Sequence, residues 1–135
     1  GQASTHRVHD PQPSSTGRSA VGASGAAHSN LVVGESGVRA IDWYMADPGA
    51  GNELVGHRNW ILDQGQQEMG VGSTNGSQAL YVNGTFGPGG TRESGGIVAW
   101  PPNGFLPITV APTQRWSVSI PGVDMATATV SITAD

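Results

Sequence analysis

The sequence predicts an α+β domain, and three observations carry that prediction. Helix-spaced apolar residues fall within 36–65, strand-spaced ones follow over 66–135, and 135 residues suffice for one core of packed layers but not for two. Helices gathered ahead of the strands favour layered α+β packing over alternating βαβ units with a parallel sheet. One domain over 1–135 is therefore expected, made of a loop-rich arm (1–30), a helix pair (36–65) and a strand-rich part (66–135).

Residues 1–30 are rich in Ser, Ala, Gly and Pro and follow neither the helical nor the strand period, so they read as an arm or loop. Val38, Ile41 and Met45 then recur at helical spacing after Ser36, a candidate cap, and Pro48 cannot continue a helix. A short helix is predicted over 38–47. Pro48-Gly49-Ala50-Gly51 is the break, and Asn52 is the candidate cap of a second helix ending near Gly65, with Leu54, Val55, the Arg58 stem, Ile61 and Leu62 on its apolar face.

Beyond Gly65 the period changes to two. Glu68–Ser73, Gln78–Asn83 and Ile97–Trp100 read as strands, followed by Trp116, Val118 and Ile120 alternating with serines and by Ala128, Val130 and Ile132 alternating with Thr and Ser. The last two runs are expected to pair antiparallel through the turn-rich link 121–124, with their apolar residues facing the core. Trp43, Tyr44, Trp60, Trp100 and Trp116 are expected in the core, although Trp100, ahead of two prolines, also suits an exposed groove. The Gly-rich stretch 84–96 lacks the Gly-Lys-Ser/Thr ending of a phosphate-binding loop.

Composition narrows the function. Apolar residues make up 36 % of the chain, and 21 glycines with 9 prolines signal a small core and many loops. All 6 basic residues are arginines, set singly at 7, 18, 39, 58, 92 and 115, and the net charge is −4, so no basic stripe exists to track a nucleic acid. No apolar run approaches the ~20 residues of a membrane span, and no basic-then-apolar leader opens the sequence. With no cysteine, neither a disulfide framework nor thiolate chemistry is available.

The most informative stretch is Gly56-His57-Arg58-Asn59-Trp60-Ile61-Leu62, which sets a histidine just beyond the break after Asp47. It resembles the first signature block of the CAP superfamily, the SCP-like domains of cysteine-rich secretory, antigen 5 and pathogenesis-related proteins, in their bacterial, cysteine-free form. Val8-His9-Asp10-Pro11 is similar to the element carrying the family's other histidine, and Ala40 to Asp47 to its Trp-x-x-Glu helix, with Tyr44 at the aromatic and Asp47 at the acidic position. Met69-Gly70-Val71-Gly72, Trp100 to Phe105 and Arg115-Trp116-Ser117 extend the likeness, which runs from His9 to Ile132. The family's Gly-Glu-Asn block aligns with His28-Ser29-Asn30-Leu31, so Ser29 stands where the first glutamate of the two-histidine, two-acid set belongs. The family's first long helix has no counterpart, which reads as a fragment or a trimmed version.

The resemblance implies an α-β-α sandwich with a central antiparallel sheet, an extracellular or cell-surface location, and a ligand cleft formed by His9, Ser29, Asn30, Asp47 and His57. Small ligands, lipids or sterols, and peptides are the partners it implies, with proteolysis in a few members. His9, His57 and Asp47 form a donor set for zinc or another divalent ion, weak for want of a second carboxylate unless Glu35 replaces it. A rival reading is a metal-dependent hydrolase, peptidase or esterase, with Asp47 as base. A third is a structural surface domain, since a histidine in such a helix is more often a hydrogen-bonded packing residue. His6 and His28 read as solvated, and Ser29 lacks the nucleophile elbow.

Overall fold

The computed structural model describes residues 9–11, 13–83, 96–120, 122–131 and 133. In chain order the elements are α1 (Ala20–Ala27), β1 (Ser29–Val33), α2 (Val38–Ala46), α3 (Gly56–Ile61), β2 (Gly70–Ser73), β3 (Ser77–Tyr81), β4 (Val98–Trp100) and β5 (Ser117–Ser119). The class is mixed α+β with antiparallel sheets.

The main sheet runs β1-β3-β2. Asn30 lies opposite Leu80 and Val32 opposite Gln78, and all four are buried, so one face of this pairing is a continuous inner surface. Ala40 and Tyr44, one helical turn apart on α2, cover that face and complete a core of Val32, Ala40, Tyr44, Leu80 and Val82, with Ile41, Trp43 and Ile61 against it. β2 is exposed along its whole length and forms an edge of the sheet. β4 and β5 pair separately, with Ala99 opposite Val118.

Several sequence expectations need correction. The supposed arm, 1–30, contains α1 and the start of β1. α1 buries no residue, so it carries no amphipathic signal, and it is held at its start by Ser19, whose Oγ accepts from the Gly22 N–H at 3.0 Å. β1 was hidden because both Ser29 and Asn30, its polar residues, are buried. Ser36 does not cap α2: the N-cap is Gly37 at φ +61°, without a side-chain bond. Nor does Asn52 cap α3. Its amide donates to Pro48 O at 2.7 Å within the connecting turns, and the helix begins four residues later and is only 6 residues long.

The C-terminal expectation also fails among the described residues. No strand forms over 128–131, Val130 is 70 % exposed, and β5 pairs with β4 instead. Trp116 and Val118 face outward enough to be 61 % and 41 % exposed, so alternation there does not mark a core face. Ile132, His6, Val8 and most of the Gly-rich stretch lie outside the described residues. No helix among the described residues is long and apolar enough to cross a membrane.

Candidate functional site

The site is organised by Asp47, the C-cap of α2. Its backbone is left-handed, at φ 46° and ψ 55°, and its N–H closes the helix on Trp43 O at 2.9 Å. Aspartate is among the few non-glycine residues that take this conformation readily. The turn directs a fully buried carboxylate at the start of α3: Oδ1 accepts from His57 Nδ1 at 2.7 Å, and Oδ2 from the backbone N–H groups of His57 at 2.9 Å and Arg58 at 3.4 Å. Asp47 thus supplies the capping oxygen that the sequence assigned to Asn52, with its negative charge at the positive end of the short helix.

Arg58 answers it from the other side. Its guanidinium is fully buried and donates through Nε to Met45 O at 2.6 Å, through one terminal nitrogen to Ala46 O at 3.3 Å, and through the other to Arg115 O and Ser117 Oγ, each at 3.0 Å. These bonds satisfy late carbonyls of α2 and tie them to β5, with the positive charge near the helix's negative end. Burial is the main force lowering the Arg58 pKa, Arg115 adds to it, and Asp47 opposes it. Arg115 completes the clasp by donating to Asp47 O and, at 2.7 Å, to Gly49 O.

Three more contacts hold the His57 ring. Tyr44 stacks on it at 5.7 Å between centroids and 25° between planes, Trp43 meets it edge-on at 5.6 Å, and Asn30 donates to the His57 carbonyl at 2.9 Å. The Tyr44 hydroxyl lies 3.0 Å from Asn30 O and 2.9 Å from Gln78 O, so it donates into the sheet. Burial pushes its pKa up to about 12 and keeps it protonated. Val55, the N-cap of α3, is also left-handed at φ 46°. A β-branched residue there is strained, and the strain sits two residues before His57.

His57 lines a cavity of about 350 Å³ together with His9, Ser29 and Asn30. His9 donates from Nδ1 to Ala26 O at 3.0 Å and His57 from Nδ1 to the Asp47 carboxylate, so in the neutral form of each ring Nε2 is the lone-pair nitrogen. Of the five cleft residues implied by the resemblance, four line this cavity; Asp47 does not, because it lies behind His57. Ser29 donates its hydroxyl to Gly25 O at 2.7 Å. Further lining residues outside that set include His28, which the sequence reads as solvated, and Trp60, which it reads as core; Trp60 is 44 % exposed. Arg58 and Arg115 were also missed as site-builders. Their signal was present only as two isolated arginines within apolar, turn-rich surroundings.

Among the described residues no group of three or more His, Cys, Asp or Glu is arranged to hold a metal ion. His9 and His57 both line the cavity, and each has its Nδ1 engaged by an acceptor within the protein. Asp47, with three N–H groups on its carboxylate, fits the role of orienting an imidazole from behind. Glu35 is paired with Arg39 at 3.0 Å and is not among the residues lining the cavity. No family model, curated protein or solved structure matches this chain.

Proposed function

We propose that the chain is an extracellular CAP-like module that binds a small ligand, lipid or peptide in the cleft walled by His9 and His57. In this reading the two imidazoles form a weak divalent-metal centre and robust hydrolysis is absent. The observation that carries it is the matched anchoring of both rings: each has its Nδ1 fixed by an acceptor within the protein, and both line one cavity. Such fixed, oriented lone pairs suit recognition or weak ligation. The hydrolase alternative has less support, because Asp47 has both carboxylate oxygens engaged and would have to leave those bonds to act as a base. A purely structural domain gives no reason for anchoring two rings on one cavity wall.

Calorimetric titration with zinc tests the reading. A weak signal is expected at neutral pH and none under acid conditions, where protonated imidazoles cannot donate. His9→Ala should abolish it, and adding His57→Ala should cause no further loss, because both remove ligands from one centre. Zinc binding that survives the double substitution would overturn the two-histidine centre.

A further inference from the structure

Six polar side chains of the cavity wall share one pattern of hydrogen bonding. His9, His28 and His57 donate their Nδ1 protons to Ala26 O at 3.0 Å, Ser24 O at 2.7 Å and Asp47 Oδ1 at 2.7 Å. The Ser29 hydroxyl donates to Gly25 O at 2.7 Å, and Asn30 and Asn52 each give an amide proton to a backbone carbonyl, His57 O at 2.9 Å and Pro48 O at 2.7 Å. What these six side chains retain is mostly acceptors: a nitrogen lone pair on each neutral imidazole, a hydroxyl oxygen and two amide oxygens, with one further N–H on each asparagine amide. Among the described lining residues there is no Asp, Glu, Lys or Arg, and Trp60 adds a half-exposed indole.

We propose that this cavity binds a neutral, hydroxyl-rich saccharide, with a sugar ring stacked on Trp60 and its hydroxyls donating to the imidazole nitrogens and amide oxygens. The proposal rests on the cleft reading above and names its ligand class. Uncharged, hydroxyl-rich ligands satisfy such an acceptor-rich wall, because each hydroxyl brings one proton to a lone pair and can itself accept from a remaining amide N–H. An acyl chain would strip water from those lone pairs and replace it with nothing. An anion meets no Lys or Arg among the described lining residues, and an ammonium ion meets no carboxylate there. A cavity of about 350 Å³ sits at the small end of ligand sites, which suits one or two sugar rings.

The test is a nuclear magnetic resonance titration of the uniformly labelled protein with maltohexaose, cellohexaose and N-acetylchitohexaose, with zinc chloride and laurate as separate arms. At least one oligosaccharide should shift the Trp60 indole and the rings of His9, His28 and His57. Trp60→Ala should then weaken binding roughly tenfold while Trp60→Phe, which keeps an aromatic face, retains most of it. His28→Ala, at an exposed position, should weaken it about fivefold through one lost acceptor. Shifts with zinc or laurate but with no saccharide overturn the ligand class and leave the cleft standing. No shift with any probe removes both, and saccharide affinity unchanged in a folded Trp60→Ala variant overturns the stacking on which the proposal depends.

Discussion

The two parts of this molecule are held together by different means. Around α2, α3 and the main sheet, apolar residues meet in a small core and a buried polar knot of Asp47, His57 and Arg58 fixes the helix pair. The β4–β5 part has little core of its own, exposes Ile97, Trp116 and Val118, and is tied to the helices chiefly by arginine donors: Arg58 to Arg115 O and Ser117 Oγ, and Arg115 to Asp47 O and Gly49 O. The contrast shows that in a glycine-rich chain with few apolar residues, guanidinium groups, the Arg58 one fully buried, can do the joining that side-chain packing does elsewhere. It also places the joint beside the candidate site, since the same Asp47 receives the His57 ring and presents its carbonyl to Arg115.

The sharpest way to break the contrast is Arg58→Ala. It leaves the carbonyls of Met45, Ala46 and Arg115 without their donor and removes a positive charge that interacts with the buried Asp47, which should cost about 3–5 kcal/mol. Urea unfolding measures it, and a loss below about 1 kcal/mol would place the strength of the joint in packing instead. Arg58→Lys should recover only part, because an ammonium cannot span the same carbonyls as a planar fork.

Next in size is an alkaline effect at Tyr44. The hydroxyl's folded pKa is raised to about 12 from 10.0, so the folded state favours the protonated form. The stabilisation is complete below pH 10.0 and is lost as pH rises to about 12, amounting to roughly 2–3 kcal/mol at the top of that window. Tyr44→Phe should flatten the alkaline limb of a stability–pH curve while costing about 1 kcal/mol at neutral pH from the lost hydroxyl bond. An unchanged alkaline limb would mean that another group controls it.

Asp47→Asn separates the orienting role from the structural one. Asparagine keeps the left-handed backbone and an acceptor for the α3 N–H groups, so a loss of about 1–2 kcal/mol is expected, less than for Arg58→Ala. The loss of charge should release the His57 tautomer, which imidazole nitrogen chemical shifts report directly. Retention of the Nδ1–H form would assign ring orientation to the Tyr44 and Trp43 contacts. The smallest effect is expected at Val130→Asp, within about 0.5 kcal/mol, because the residue is 70 % exposed. Unfolding by that substitution would restore the core strand that alternation of Ala128, Val130 and Ile132 predicts.

Local chemistry made α2, the break after it, the existence of α3 and four of the five strands legible in the sequence, because helix spacing, Pro48 and alternation act over a few residues. The motif around His57 likewise directed attention to residues that line the cavity. What remained hidden depends on partners distant in the chain. α1 and β1 lack an apolar period, and the run at 128–132 has the period but no strand forms over its described residues. Alternation specifies which side chains would share a face, whereas burial of that face requires a partner that only folding supplies. Asp47 and Arg58 make the same point in polar form. Their residue types are plain in the sequence, but capping, ring orientation and the joining of two parts arise only when the turn after α2 brings carboxylate, imidazole and guanidinium together, because a buried charge has a definite role only once its neighbours are fixed.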